Sequence, residues 1–345
     1  MSMENKKRMK AGEIFSKTMP FVWAKLLLGI LTVLVSAAIL AVLLGVAWLF
    51  KSEGVGLVMV IVWLVLTGIV RFVINHYIGF LVKAGHIAVI TEAVTSGKVP
   101  RNQVSYGKER VKERFVTANV YFVIDKLVGA AVRQIQRGIG KITGMMSSIP
   151  GMGAVSSLAK FYVSISLGYI DECCLGYTFY KKGQSAFKSA ADGVVIYSQN
   201  IKTLLASAAK TMLIVVFGLA GITFGLFILF GLLIRFLPLS DWLGQYGLVG
   251  SWIGNHIGFI GFFIAVILAV TIKYAFMDSF ILIRTMVSYM GVAPKTVLKV
   301  DLYTKLCNIS SKFKELLNEG KKEGKPRKAS TPAKRKASKP VRRTR

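Results

Sequence analysis

Few positions along this chain carry side chains able to do chemistry, and the densest group lies in SISLGYIDECCLGYTFYKKG, residues 164–183. Asp171 and Glu172 are adjacent acids set between apolar blocks, followed at once by Cys173 and Cys174. Carboxylates in an apolar setting must be paired, protonated or aimed at water or a cation, because an isolated buried charge is too costly. Adjacent cysteines form no strain-free mutual disulfide, so this pair reads as small apolar fillers or, near a membrane, as acylation sites. Two further charges interrupt apolar text, Arg71 and the Asp278 of KYAFMDSFILIR. Asp171, Glu172, Asp278 and Arg71 are the candidate polar lining of a site for a small polar or cationic solute; Asp278 and Arg284 could pair with Arg71 or with the Asp171 and Glu172 cluster. The three histidines, His76, His86 and His256, are scattered without metal-ligand spacing. The chain also carries no phosphate loop, nucleophile elbow or dinucleotide fingerprint. No enzyme activity, cofactor or metal is therefore expected.

The elements that must position these residues are helices in lipid. The 345 residues are 54% hydrophobic with a mean hydropathy of +0.57, above the apolar share of an ordinary soluble domain. Crossing a hydrocarbon core of about 30 Å takes about 20 helical residues. Leu26 to Phe50 and Thr211 to Ile234 carry no charge at all. Gly54 to Val70 resumes after Arg71 as FVINHYIGFLV, and a fourth apolar run extends from Ile253 to Ile272, ending at Lys273. The expected fold is therefore an all-α polytopic membrane bundle with about four transmembrane helices, or six if residues 120–142 and 161–180 also cross.

Basic residues decide orientation, since Lys and Arg stay on the cytoplasmic side of short loops. Of 45 in total, residues 1–25 hold six, 83–210 hold seventeen and 284–345 hold eighteen, which leaves four elsewhere. Four spans with both termini and the middle segment cytoplasmic satisfy this distribution. The segments are then a basic lead-in (1–25), a first helix pair with its lead-out (26–100), a cytoplasmic-side middle (101–206), a second pair (207–300), an amphipathic helix (301–319) and a polybasic tail (320–345).

An order of lead-in, span, span and stop occurs twice, with Ile14-Phe15-Ser16 matching Ile196-Tyr197-Ser198, and Gly97 and Pro100 matching Gly291 and Pro294. This reads as an internal duplication. In the middle segment, Val120, Val123, Ile124, Leu127, Val128, Ala131, Ile135, Ile139 and Ile142 follow helical spacing, with Lys126, Arg133, Arg137 and Lys141 elsewhere on the wheel. Such a helix lies on anionic headgroups or packs under the spans. After it, Phe161 to Tyr180 reads as a buried or re-entrant segment with Asp171 and Glu172 facing protein, water or a base. Leu302, Leu306, Ile309, Phe313 and Leu316 predict a single helix from 301 to 319 for the membrane surface or a partner helix. Lys321 to Arg345 holds twelve basic residues, one acid and no large aliphatic cluster, so it should be disordered. Its expected partners are anionic lipid headgroups of the bilayer, with nucleic acid as the rival. Ser330 and Ser338 follow basic residues and are candidate phosphorylation sites.

The run from Ile165 to Gly221, with Tyr169, Ser185, Ala186, Phe187 and Asn200, resembles the late portion of choline transporter-like membrane proteins. IKYAFMDSFILIR is similar to that family's last helix, which carries an acid near its inner end; Asp278 matches. The resemblance covers mainly the second half of the chain and implies movement of choline or a similar cation. The alternative is a non-catalytic scaffold whose amphipathic helices and tail hold anionic lipid, a partner protein or nucleic acid. The topology has a direct check. In a cysteine-less background, Arg137→Cys and Arg345→Cys are expected to react with an impermeant maleimide only after cells are opened; labelling of either from outside intact cells overturns the orientation.

Overall fold

The structure, a computed structural model, describes residues 9–50, 53–115, 118–146, 168–236 and 257–323. The described residues are helical with no strand: α1 (Ala11–Lys17), α2 (Met19–Phe50), α3 (Glu53–Ile74), α4 (Phe80–Ser96), α5 (Gln103–Arg114), α6 (Ala118–Met146), α7 (Ile170–Tyr180), α8 (Ala186–Gln199), α9 (Ile201–Phe236), α10 (Ile257–Ile272), α11 (Asp278–Val292), α12 (Val300–Ile309) and α13 (Ser311–Glu323). Among the described residues, three helical stretches are long and apolar enough to cross a membrane: Met19–Ala47, Val58–Ser96 and Ala265–Lys295. A shorter apolar stretch, Phe217–Leu233, lies within α9. The chain is thus a helical protein with membrane-type spans.

Two of these stretches are longer than a membrane requires. A π-turn at Asn75–Gly79 joins α3 to α4, and another at Lys273–Met277 joins α10 to α11, so neither helix pair breaks. Val58–Ser96 has 39 residues, about 58 Å of helix against a hydrocarbon core of about 30 Å. The surplus becomes the core of a second layer at one end of the spans. Ile87, Ile90, Ile283, Met286 and Tyr289 are fully buried there, whereas Leu27, Leu34, Val65, Phe72, Phe217 and Phe224 on the spans are exposed. The packed layer thus contrasts with spans whose large apolar side chains are exposed, a surface that water disfavours. The sequence reading ended the fourth span at Lys273; the helix instead continues through it as far as Val292.

In the spans, α2 pairs with α3, α9 with α10, and α2 meets α10. Trp63 Nε1 donates to the Ser36 carbonyl at 2.8 Å, and Ser36 and Thr67 hydroxyls share a bond of 2.7 Å, giving the first pair a polar tie where no water competes. In the base layer, α7 packs on α8, α4 on α5 and α7, α6 on α7 and α8, and α1 on α11. The expected basic amphipathic helix is α6. Its buried stripe includes Ile124, Leu127, Val128, Ala131 and Ile135, while Lys126, Arg133 and Arg137 are exposed. Val123, expected on the apolar face, is also exposed.

The predicted single helix at 301–319 is two helices. Ser310 is extended (φ −132°, ψ 109°) and divides α12 from α13. Its hydroxyl donates to Gln134 Oε1 and accepts from the Phe313 N–H, so the break is capped by α6 and starts a new helix. Phe313 and Leu316 are fully buried against α6 and α8, and Ile309 is left exposed. The apolar stripe therefore serves this chain's own core, not a membrane surface.

Among the described residues a similar order occurs twice, in α1–α6 and α8–α13: a shorter helix, a long helix, a helix, a π-turn, a helix and two further helices. Phe115, between α5 and α6, takes φ −123° and ψ 112°, close to the values at Ser310. The stops differ. Gly97 closes α4 in the left-handed region at φ 73°, a conformation open to glycine. Gly291 lies inside α11, and the short 3-10 turn Ala293–Lys295, with Pro294, ends that helix instead.

The tight α7–α8 contact has a measurable consequence. A Cβ on Gly193 would stand 3.0 Å from Cys174 Cα and 3.2 Å from its carbonyl oxygen, so Gly193→Val must push two helices apart. Overpacking of this kind costs roughly 1–3 kcal/mol. The melting temperature in detergent is expected to fall for Gly193→Val and to hold for Gly12→Ala, whose Cβ would meet nothing within 4 Å.

Candidate functional site: a polar cluster beneath the spans

Helix α7 is eleven residues long and carries Asp171 and Glu172 in its first turn, where acids suit the positive end of the helix dipole. Everything from Cys173 to Phe179 is buried, so α7 is locked in the base layer. Its acids meet Lys83, which α4 projects from the inner extension of the second span. Lys83 Nζ lies 3.0 Å from Asp125 Oδ1 of α6 and 3.3 Å from Glu172 Oε1. One ammonium therefore ties three helices. Glu172 Oε2 and the Tyr121 hydroxyl are sealed from solvent with no hydrogen-bond partner.

Asp171 Oδ1 accepts from the Glu172 N–H at 3.2 Å. A Cβ on Gly129 would stand 3.2 Å from Asp171 Oδ2 and 3.3 Å from an Arg133 guanidinium nitrogen, so glycine leaves room for both. Burial, reinforced by the neighbouring Glu172 charge, raises the Asp171 carboxyl well above the usual range. Burial also pushes Glu172 upward, but the Lys83 ammonium outweighs it and leaves Glu172 lowered. The two adjacent acids thus differ: Asp171 holds a proton readily and Glu172 keeps its charge.

Asp278 completes the cluster from the other half of the chain. Its Oδ1 accepts from the Tyr169 hydroxyl at 2.6 Å, and Lys273 Nζ bonds both oxygens at 2.8 and 3.0 Å. Tyr169 stands two residues before Asp171, so the acids expected to act together are brought to one place. Asp278 does not pair with Arg71, which is exposed in the last turn of α3 and makes no ion pair among the described residues. The reason is the π-turn, whose i to i+5 pattern sets Lys273 and Asp278 on one face.

A second limb uses residues the sequence reading passed over. Lys25, 6% exposed, donates to Ser279 Oγ at 2.9 Å and to His86 Nδ1 at 3.2 Å. His86 is then the Nε2–H tautomer and donates to Thr18 Oγ1 at 3.2 Å, and Thr18 donates to the Ile14 carbonyl at 2.9 Å. The imidazole also stacks on Phe21. Lys25 and Ser279 come from opposite halves, so this limb also sits at the seam between them. The available signal was a lysine and a histidine inside apolar text, as in GFLVKAGHIAVI.

Cys173 and Cys174 are fully buried, and burial raises both thiols well above their ordinary value. They are packing residues, inaccessible to acylation. Among the described residues no group of His, Cys, Asp and Glu is arranged to hold a metal ion. Ser330, Ser338 and the polybasic tail lie outside the described residues. No protein-family model, curated protein or solved structure matches this chain.

The ionisation pattern sets a stability test. A carboxyl whose folded-state affinity for protons is raised favours folding fully below its unfolded value and loses that contribution as pH rises through the folded one. Asp171→Asn is therefore expected to match or exceed the parent's melting temperature at pH 7, with the advantage vanishing near pH 4. Lys83→Met leaves the Glu172 charge buried without its partner and is expected to cost about 3 kcal/mol or more. Equal losses for the two variants at pH 7 would contradict this assignment.

Proposed function

We propose that this protein is a multi-pass membrane protein, with both termini and the base layer on the cytoplasmic side, that binds and moves a small cationic or polar solute. One observation carries the reading: Glu172 sets one carboxylate oxygen 3.3 Å from Lys83 Nζ and leaves the other without a hydrogen-bond partner. A carboxylate and an ammonium brought together beneath apolar spans form a polar centre of the kind that can take a cation, and repeat-built carriers place their sites at the repeat interface.

In this reading Glu172 is the cation ligand and Lys83 is its internal competitor. Lys83 has a second carboxylate, Asp125, at a shorter distance. It swings fully onto Asp125 when a solute ammonium takes Glu172, and returns when the solute leaves. Asp171 stays protonated beside it, which keeps the local charge from rising to two. Asp278, held by Lys273 and Tyr169, lines the opposite wall. The likeness of this second half to choline transporter-like proteins agrees with a quaternary or primary ammonium as the solute.

A second reading, a scaffold for anionic lipid, a partner protein or nucleic acid, draws on the outward basic face of α6, where Lys126, Arg133 and Arg137 stand opposite the buried stripe. Uptake of radiolabelled choline into proteoliposomes separates the two. Saturable uptake is expected, reduced at least about tenfold by Glu172→Gln, equivalent to about 1.4 kcal/mol, and unaffected by Arg137→Gln. Absence of saturable uptake of choline and of ethanolamine, or uptake that survives combined Asp171→Asn, Glu172→Gln and Asp278→Asn, rejects the carrier reading.

A further inference from the structure

Away from the acidic cluster, at the far end of α11, a cavity of about 790 Å³ opens between the α8–α9 junction and the start of α12. Its walls include Lys295, Lys299 and Lys305, with Gln199 and Asn200 opposite and one acid, Asp301. The lysines are gathered there by specific bonds. Gln199 Nε2 donates to the Val297 carbonyl at 3.0 Å, and Asn200 Nδ2 donates to Thr296 Oγ1 at 3.0 Å. These two side chains pin the segment between α11 and α12 to the start of α9, and that segment carries two of the three cations.

What marks this cavity is three unpaired lysines gathered around one concavity. Lys83, Lys188 and Lys273 each pair with a carboxylate. Lys295, Lys299 and Lys305 make no ion pair among the described residues, nor does Asp301 beside them. Three uncompensated ammonium groups around one concavity raise the local concentration of anions, and lysine is an effective point-charge ligand for phosphate. The volume suits a metabolite-sized ligand. One acceptor lines the same space, the exposed Asp301 carboxylate. It calls for a hydroxyl or amine donor on the ligand.

We propose that this cavity binds a phosphate ester with a hydroxyl-bearing body, its phosphate on Lys295, Lys299 and Lys305 and a hydroxyl on Asp301. The same chemistry exists free in solution and on a lipid headgroup. Placement favours the soluble source. Asn200 precedes the uncharged stretch that begins at Thr211 by eleven residues, about 16 Å of helix, and Lys202 and Lys210 fall between. The site is separate from Glu172 and is read by binding, not by transport, so it stands or falls independently of the carrier reading.

The experiment uses the full chain in nanodiscs. In the first arm the lipid is phosphatidylcholine alone and the titrant is adenosine 5′-triphosphate or glucose 6-phosphate. In the second arm phosphatidic acid replaces a fifth of the lipid and protection of a thiol probe at Asn308→Cys is read. Saturable binding that weakens at least about tenfold in Lys295→Gln/Lys299→Gln/Lys305→Gln, and holds in Lys312→Gln/Lys314→Gln/Lys322→Gln, is expected in the first arm. The same lysine dependence confined to the second arm assigns the phosphate to lipid and still supports the cavity. Binding in neither arm, or binding equal in both triple variants, overturns the proposal. Because all six lysines are exposed, neither variant is expected to impair folding, and matched melting temperatures verify it.

Discussion

Lys83 between Asp125 and Glu172 is the interaction on which the base layer depends. An ammonium on a flexible stem is costly to bury and must find carboxylates; here it finds them on two other helices. That requirement draws α6 and α7 against the inner extension of the second span and turns the acids of α7 inward. Without it, Glu172 would enter the interface with no ion-pair partner. The pairing explains why a mostly apolar segment carries acids in its first turn and still packs fully.

The two π-turns give this arrangement its height. Each lets an apolar helix continue beyond the lipid without a break, so the spans themselves supply α4 and α11 as the core of the layer below. Glycine permits the closest approaches: Gly85 and Gly107 bring α4 and α5 nearly into backbone contact, and Gly193 does so for α7 and α8. The π-turn at Lys273–Met277 has a second effect, bringing Lys273 and Asp278 onto one face. A geometric irregularity in the backbone is thus directly tied to a pair in the polar cluster.

That cluster draws on distant segments: Lys25, Lys83 and His86 from α2 and α4, Asp125 and Glu172 from α6 and α7, and Lys273, Asp278 and Ser279 from the π-turn and α11. They meet at one seam beneath the spans. The cavity near Lys295 lies outside this seam and is lined by groups whose charges are not internally balanced. The molecule therefore has a compensated polar centre under the spans and an uncompensated basic concavity farther from them.

Apolar text of membrane length, the basic stripe of α6 and the inward placement of Asp171 and Glu172 were legible in the sequence, because each depends on local composition or on helical period. Even the repeated order of elements showed in a few residues. The break at Ser310 was not legible, since its cause is Gln134 on another helix. Nor was the partner of Asp278: Arg71 had the right charge, but a π-turn that no periodicity announces gave the position to Lys273. Pairing across 42 residues at Lys83 and Asp125, and across 254 at Lys25 and Ser279, is decided by which helix faces meet. Linear order determines how apolar or charged a segment is; only packing determines which buried charge answers which.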